Sequence, residues 1–328
     1  MKLAIIGSYG HAGVVLDGLG QRDDVTLAAA APWGAGDPMG FVADAGLPPA
    51  AVHEDYRAML AGVRPDVAAV FTPFSQLAAA ATAAAEAGCH VFMEKPLATT
   101  RADLERLREA VYRAGVRLAA CLTARGEPAF RTVRRAVAEG RIGTPVCATA
   151  QKSYPFAERD AFHATRETYG GTIPWIGIHA LDYVAWCGGL GYRRVAAVAG
   201  NFAHPSHPGM EDAGGILAEL TNGASATIHV DYLRPWGRMK RPWGDDRLRI
   251  AGTGGVIETT DGGAGVELAT PDAAEMLPLE GPVNVFAGFV AGLLGEREPI
   301  VSTEESFRMT EVALKARDAQ DRGAWVDV

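Results

Sequence analysis

The chain has 328 residues, 48% of them hydrophobic and 21% charged, which is typical of a soluble globular protein and not of a disordered one. Since this length exceeds what one hydrophobic core usually organises, we expect two domains. The formal net charge of −8 argues against broad electrostatic contact with nucleic acid or anionic lipid. Composition and charge therefore favour a small-molecule ligand, with neither nucleic acid nor a membrane as a partner.

The cysteines and the polar clusters predict neither a disulfide nor a metal site. Four cysteines lie far apart, without C-x-x-C spacing, at positions 89, 121, 147 and 187. The run 204–212 contains metal-ligand residue types, but its two prolines and its lack of helical register predict a loop. The pattern of a secretory signal and an apolar run of membrane-spanning length are both missing, so we expect a cytoplasmic protein.

The first third of the chain alternates short apolar runs with longer helical patterns. Strands are predicted at 3–6, 25–30, 67–71, 90–93 and 116–121, with helices at 75–88 and 103–114 among them. This alternation indicates parallel strands joined by crossover helices. Sheets of this kind bind ligands at the carboxyl ends of their strands, so the loops after Ile6, Phe71 and Met93 are the expected ligand loops.

A different pattern begins near Glu127, with one helix followed by consecutive strands. The strands are predicted at 145–153, 195–202, 216–220, 224–232, 247–251 and 256–259, and Asn222-Gly223 marks a tight hairpin. We therefore predict an α/β protein with two domains. Residues 1–122 form a doubly wound parallel sheet, and residues 123–328 form an α+β domain with a mainly antiparallel open sheet.

Residues 7–13 form a glycine-punctuated turn, G-x-x-G-x-x-G, that follows the first strand and opens a helix. Gly7 and Gly10 permit a tight turn, and the backbone up to His11 and Ala12 can then face a pyrophosphate. Tyr9 stands where a second glycine would let phosphates approach closely. The turn predicts a dinucleotide site, and a strand-to-helix turn without a ligand is the alternative.

The second strand lacks the acidic residue that usually holds the ribose of NAD, since residues 28–33 read Ala-Ala-Ala-Ala-Pro-Trp. No arginine or lysine follows that would pair with the phosphate of NADP. Asp37 is the nearest carboxylate, and we expect it to cap the following segment. The choice between NAD and NADP stays open.

Glu94-Lys95-Pro96 ends the fourth predicted strand, at the carboxyl edge of the sheet. A lysine amine at this edge can hydrogen-bond a substrate hydroxyl and exchange a proton with it. A solvated lysine at the end of a strand is the alternative.

An apolar helical segment follows Gly170-Gly171 and carries His179 and Asp182 at i, i+3 spacing. We assign His179 to the site, although a lone histidine in an apolar helix is often a core residue. For Asp182 two roles stay open, orienting the imidazole of His179 or a structural hydrogen bond.

These motifs, in this order, resemble the glucose-fructose oxidoreductase and inositol dehydrogenase family, Gfo/Idh/MocA. The resemblance covers nearly the whole chain and rests on segments 7–13, 64–73, 87–96, 140–143, 170–182, 252–255 and 303–319. It implies a Rossmann domain, an α+β domain whose open sheet forms a homodimer or homotetramer interface, and an NAD(P) cofactor, with a slight lean to NAD. It also implies that Lys95 and His179 act on the hydroxyl being oxidised or the carbonyl being reduced.

The resemblance extends the predicted site. The cofactor-binding residues would be Gly7, Tyr9, Gly10, His11, Ala12, Thr72, Pro73, Glu94 and Lys95. The catalytic residues would be Lys95, His179 and Asp182. The substrate-binding residues would be Lys95, Tyr154, Arg166, Trp175 and His179.

Two further positions depart from the family pattern besides the missing acid. Residues 74–76 replace the usual Asn-x-x-His, and Trp175 stands four residues before His179, where the family often has an aspartate. Trp175 removes one acid from the usual set, or it provides a surface for stacking on a sugar ring.

We therefore predict an NAD(P)-dependent oxidoreductase that transfers a hydride to or from a ring hydroxyl carbon of a sugar, cyclitol or related polyol. One alternative is a redox-neutral enzyme that cleaves or epimerises glycosides with a tightly bound cofactor. Another, of a different class, is a non-catalytic cofactor-binding sensor or scaffold.

Overall fold

The computed structural model describes residues 1–34, 37, 46, 48, 51–237 and 244–328. These residues form two units. The first contains Met1–Leu122 and Asn284–Thr310, and the second contains Thr123–Val283 and Glu311–Val328.

Among the described residues of the first unit, a parallel sheet of five strands forms the centre. Its strands are β1 (Lys2–Ile6), β2 (Thr26–Ala31), β3 (Val67–Val70), β4 (His90–Met93) and β5 (Leu118–Ala120), in the order β2-β1-β3-β4-β5. Each neighbouring pair is parallel, as predicted. The chain leaves β1 toward β2 on one side and returns to β3 on the other. The loops after β1 and β3 therefore diverge at the point where this fold type binds ligands.

The helices between these strands follow their sequence signals. They are α1 (Gly13–Leu19), α2 (Tyr56–Val63), α3 (Phe74–Glu86) and α4 (Arg101–Ala114). The side chain of Thr100 caps α4 by accepting a hydrogen bond from the amide of Asp103, and Gly115 ends the helix in the left-handed conformation. The apolar face of α4 is buried, as its periodicity predicts.

In the second unit, the residues that the structure describes form a sheet of nine strands. The strands are β6 (Pro145–Ser153), β7 (Tyr192–Gly200), β8 (Ala213–Leu220), β9 (Ser225–Asp231), β10 (Asp245–Gly252), β11 (Val256–Thr260), β12 (Gly265–Ala269), β13 (Ala274–Met276) and β14 (Val326–Asp327). Their order is β13-β12-β11-β10-β6-β9-β8-β7-β14. All pairs are antiparallel except β6 with β9, which is parallel. The predicted mainly antiparallel sheet is confirmed, and its one parallel pair was not foreseen.

One face of this sheet is apolar and covered. Helices α5 (Pro128–Ala138), α6 (Arg166–Tyr169) and α7 (Ile178–Gly188) belong to this unit. Helix α7 packs against β6, β9 and β10, over buried side chains that include Ile228, Val230 and Leu248. We call this covered side the inner face of the sheet.

Residues 284–310 pack with the first unit. The predicted division at residue 123 had placed them in the second domain. They contain α8 (Val285–Leu293) and the start of α9 (Thr303–Arg322). The rings of Phe286 and Phe289 lie 5.3 and 5.8 Å from that of Phe92 on β4. The side chain of Asn284 caps α8 at the Ala287 amide and donates to the Val14 carbonyl at 2.9 Å. Periodicity shows that such a helix is buried, but it does not show which sheet the helix covers.

Among the described residues, no helix combines the length and the apolar character needed to cross a bilayer.

Substitution of Gly18 tests the packing of α8 on α1. An added Cβ would lie 2.6 Å from Asn284 Oδ1 and 2.8 Å from Phe286, so we expect Gly18→Ala to lose about 1 to 3 kcal/mol of unfolding free energy. Gly62→Ala, on α2 with open space around the added Cβ, should be neutral or stabilising by up to about 1 kcal/mol. Urea denaturation measures both values. Equal stability of the two variants would contradict this packing.

Candidate active site

The glycine turn lies against the end of β3. Gly7 and Gly10 have φ angles of +70° and +67°, which L residues with a side chain rarely adopt. A Cβ on Gly7 would lie 2.5 Å from the carbonyl oxygen of Phe71. The Tyr9 amide donates to that same oxygen at 2.9 Å. The turn therefore needs glycine where the sequence has it, and it adjoins Thr72, whose Cα would lie 3.2 Å from a Cβ on Gly7.

Glu94 joins this turn to Lys95. Its Oε2 accepts from the backbone amide of His11 at 2.6 Å and lies 2.8 Å from His11 Nδ1. Its Oε1 accepts from the Lys95 amide at 2.8 Å and lies 3.8 Å from Lys95 Nζ. A Cβ on Gly10 would overlap the Glu94 carboxylate. The turn, the carboxylate and the lysine thus form one connected arrangement.

The environment of Glu94 keeps it charged. Burial alone would raise its pKa, but the charges of His11 and Lys95, together with the hydrogen bonds from His11, lower it below the ordinary value. The side chains of Glu94 and Lys95 are 0% and 1% exposed, whereas that of His11 is 29% exposed. We predicted Glu94 as a cofactor ligand, and in the structure its carboxylate oxygens contact His11 and Lys95. Sequence reasoning did not foresee its link to His11.

The turn fits a dinucleotide. It lies at the point where the strand order reverses, between the loops that follow β1 and β3. A Cβ on Gly13, the first residue of α1, would have no described atom within 4 Å beyond its chain neighbours and the backbone of its own helix, so this side of the turn leaves space for a ligand. Bound here, NAD(P) would be held by residues 7–12 together with Thr72 and Pro73.

Asp37 faces the same turn. Its carboxylate accepts from the Trp33 amide at 2.6 Å and from the hydroxyl of Ser8. The segment that we expected it to cap, residues 38–45, lies outside the described residues. Asp37 therefore supplies a carboxylate beyond β2, where the sequence of the strand itself lacks one.

The segment that leads into α7, the helix that carries His179, begins with two glycines that have positive φ angles. Gly170 and Gly171 have φ angles of +86° and +108°. Thr172 is then anchored to Glu211, whose carboxylate accepts from the Thr172 amide at 3.0 Å and whose carbonyl accepts from its hydroxyl at 2.5 Å. One π-helical turn, Ile173–Gly177, leads into α7, which carries His179 with 1% exposure. π-helical turns of this kind often occur at functional sites.

Asp182 forms a buried ion pair with Arg125. The guanidinium donates to the carboxylate from Nε at 3.0 and 3.2 Å and from a terminal nitrogen at 2.7 Å. The two side chains are 1% and 2% exposed. Of the two roles left open for Asp182, this geometry favours the structural one, because the pair ties α7 to the turn Thr123–Gly126.

The other predicted substrate residues have distinct surroundings. Arg166 binds Glu211 and Asp321, so its guanidinium is engaged within the protein. Trp175 is only 7% exposed, which leaves little of its ring for a stacked sugar. Tyr154 is partly exposed, and its hydroxyl hydrogen-bonds Lys152.

Lys152 and its partner Asp246 were missed by sequence reasoning. Lys152 Nζ bonds the Asp246 carboxylate, on the neighbouring strand. The signal was present, since Lys152 shares strand parity with the buried Ala148 and Ala150. Among the described residues, no three His, Cys, Asp or Glu side chains are grouped as metal ligands.

Two family models match the chain, one within each of the two units. Residues 1–121 match the oxidoreductase family with an NAD-binding Rossmann fold. Residues 130–258 match the GFO/IDH/MocA C-terminal domain.

Individual proteins agree with these models. 1,5-anhydro-D-fructose reductase of Ensifer adhaerens is 30% identical over 257 residues, which is 74% of each chain. The uncharacterized oxidoreductase YrbE of Bacillus subtilis is 29% identical over 226 residues, 67% of this chain, and the match spans 63% of that relative's length. A solved oxidoreductase structure from Thermotoga maritima is 32% identical, covers 100% of both chains and has a TM-score of 0.94. The chain therefore belongs to the Gfo/Idh/MocA family of oxidoreductases with an NAD-binding Rossmann fold.

Proposed function

We propose that this protein is an NAD-dependent oxidoreductase that transfers a hydride to or from a ring hydroxyl carbon of a neutral sugar or cyclitol. The observation that carries the proposal is the buried Lys95 at the end of β4, joined by Glu94 to the glycine turn. A preformed link between a cofactor loop and an amine suits a reaction that couples hydride and proton transfer. The matching relative named a 1,5-anhydro-D-fructose reductase supports a sugar as the substrate class.

The proposed reaction divides between the cofactor and the protein. NAD bound at the glycine turn, residues 7–12, would supply the hydride acceptor. Lys95 and His179 exchange the hydroxyl proton, so that an alcohol gives a carbonyl compound, reduced cofactor and one proton. The negative charge of Glu94 stabilises Lys95 once its amine has taken up the proton.

Asp182 acts in this proposal as a positioning residue. Its carboxylate accepts three hydrogen bonds from Arg125, so in this proposal it holds the helix that carries His179 and does not itself exchange a proton with the substrate. Because Trp175 stands where the family often has an aspartate, the proton exchange in this proposal involves Lys95 and His179 alone.

Asp37 supports NAD over NADP. In this fold a carboxylate beyond the second strand hydrogen-bonds the ribose 2′-hydroxyl of NAD and repels the 2′-phosphate of NADP. Asp37 contacts Ser8 within the glycine turn, and its charge is therefore next to the proposed cofactor loop.

We also propose that the protein assembles from at least two copies through the second face of the nine-stranded sheet, opposite the inner face. Val198, Leu217 and Trp325 are 74%, 44% and 43% exposed there. They line one apolar groove that spans β7, β8 and the end of the chain. A second copy of this chain is the proposed occupant, because exposed apolar patches of this kind mark protein interfaces.

Lys95→Met tests the proposed reaction. We expect turnover of a sugar and cyclitol panel, followed as NADH absorbance, to fall by about 10²- to 10⁴-fold, since Lys95 exchanges the proton. Lys2→Met, an exposed lysine of the same unit, should retain wild-type rates. Full turnover by Lys95→Met would exclude the assignment. Product without stoichiometric NADH would instead favour redox-neutral chemistry, and no turnover by the wild type would favour a non-catalytic scaffold.

Asp37→Ser tests the cofactor preference. Calorimetric titration should show weaker NAD⁺ binding and a ratio of NADP⁺ to NAD⁺ affinity at least about 10-fold above that of the wild type. Asp55→Ser serves as the control, because serine can keep the N-cap that Asp55 provides for α2. An unchanged ratio in Asp37→Ser, or a wild type that prefers NADP⁺, would contradict the assignment.

Light scattering on a size-exclusion column tests the assembly. The wild type should have the mass of two or more chains, and Val198→Glu combined with Leu217→Glu should lower it, because charge is introduced into the apolar groove. Leu294→Glu changes an equally exposed leucine of the first unit and should leave the mass unchanged. A monomeric wild type would refute the proposal.

A further inference from the structure

A buried ion pair interrupts the apolar inner face of the second unit's sheet. Lys152 on β6 and Asp246 on β10 are directly opposite in the strand register, and the lysine Nζ bonds Asp246 Oδ2. Their side chains are only 3% and 15% exposed. The next inward pair along the same strands is Ala150 with Leu248, which are 2% and 1% exposed. The ion pair is thus set into an otherwise hydrophobic surface.

Stability alone is a poor explanation for this pair. Removing two charges from water has a penalty that their attraction often does not recover, and hydrophobic replacements of similar volume are often neutral or stabilising. Burial alone would lower the pKa of Lys152, but the nearby Asp246 raises it overall, so the ammonium stays charged. Buried charges that are maintained in this way are concentrated at functional sites.

One oxygen of the pair has no donor among the described residues. Asp246 Oδ1 is buried and accepts no hydrogen bond from any residue that the structure describes. A buried carboxylate oxygen without a donor is unfavourable, because it has lost its hydration and gained no hydrogen bond in exchange. The ammonium of Lys152 already serves the other oxygen, Oδ2. Oδ1 is therefore an acceptor that an incoming hydroxyl group can satisfy.

Tyr154 completes the polar cluster. Its hydroxyl hydrogen-bonds Lys152, and the lysine Nζ lies 4.8 Å from the centre of its ring. Burial raises the pKa of Tyr154, while the Lys152 charge opposes this change, and the net rise leaves the phenol neutral. The cluster therefore combines an ammonium, a phenol and a carboxylate oxygen, the donors and acceptors that can bind adjacent hydroxyl groups.

The cluster lies on the part of the inner face that is covered by the first turns of α7, the turns that carry His179. The hydroxyl of Tyr183 donates to the carbonyl of Gln151, the residue before Lys152. At the start of the helix, a Cβ on Gly177 would lie 3.7 Å from Val230, which is paired with Lys152 in the sheet register. His179 stands between these two contacts on the helix. The ion pair and His179 therefore belong to the same end of this unit.

We propose that Lys152, Asp246 and Tyr154 bind the hydroxyl groups of a neutral polyol, with Asp246 Oδ1 accepting from one hydroxyl and Lys152 and Tyr154 contacting its neighbour. This inference rests on the proposed function and names the residues that select its substrate. The charges of Lys152 and Asp246 cancel, so the cluster offers no net positive charge to a phosphorylated or carboxylated sugar. It favours uncharged sugars and cyclitols.

Calorimetric binding separates this site from the chemistry. The probes are myo-inositol, D-glucose and 1,5-anhydro-D-glucitol, each titrated into the protein saturated with NADH, so that no hydride acceptor is present. We expect Asp246→Asn to weaken binding of the best probe at least 10-fold, which is about 1.4 kcal/mol. In steady-state assays its KM should rise while kcat changes by less than about 3-fold. Asp245→Asn, on the opposite face of the same strand, should bind as the wild type.

The double variant Lys152→Met with Asp246→Leu distinguishes a loss of binding from a loss of folding. Because it removes both charges together, it should keep wild-type thermal stability and still lose polyol affinity. Wild-type affinity in Asp246→Asn, or no binding of any probe by the wild type, would overturn this site. A protein that binds a polyol through Asp246 but oxidises none would overturn the proposed function and leave the site standing.

Discussion

The buried carboxylate of Glu94 is the constraint on which the first unit's site depends. A fully buried charge is tolerated only when several donors surround it, and here the donors come from the glycine turn and from Lys95. The carboxylate also occupies the volume that a side chain at Gly10 would need. The backbone of the turn and the position of the amine are therefore fixed by one group, before any ligand binds.

The second unit positions His179 by a similar device. Helix α7 is mainly apolar. Hydrophobic packing alone would therefore only weakly fix its rotation about its axis and its position along that axis. Two polar anchors remove that freedom. Glu211 holds Thr172 ahead of the π-helical turn, and Arg125 holds Asp182 one turn beyond the histidine. In both units, buried carboxylates therefore act chiefly on the protein and only through it on the reaction.

Much of this architecture could be predicted from local sequence patterns. Strand 90–93, the glycine turn and the hairpin at Asn222-Gly223 each depend on a few neighbouring residues, and each forms as expected. The fold class and the family followed from such motifs. Features that depend on distant partners did not follow. The packing of α8 on Phe92 and the parallel pairing of β6 with β9 join segments far apart in the chain.

The same limit applies to the site residues. The polar character of Asp182 was visible in the sequence, but its partner Arg125 is 57 residues away. Lys152 and Asp246 are 94 residues apart and meet only because of the register between β6 and β10. A one-residue shift in that register would turn Asp246 to the opposite face. Sequence patterns thus identify the residue types, whereas the pairing depends on the folded sheet.

Isotope transfer tests the central claim most directly. The protein is incubated with NAD⁺ and with each member of a panel of perdeuterated sugars and cyclitols, and the dinucleotide is analysed by mass spectrometry. Direct hydride transfer from a ring carbon predicts that the NADH formed with a substrate carries one deuterium at C4 of the nicotinamide. NADH without the label, or no labelled dinucleotide from any member of the panel, would contradict the account.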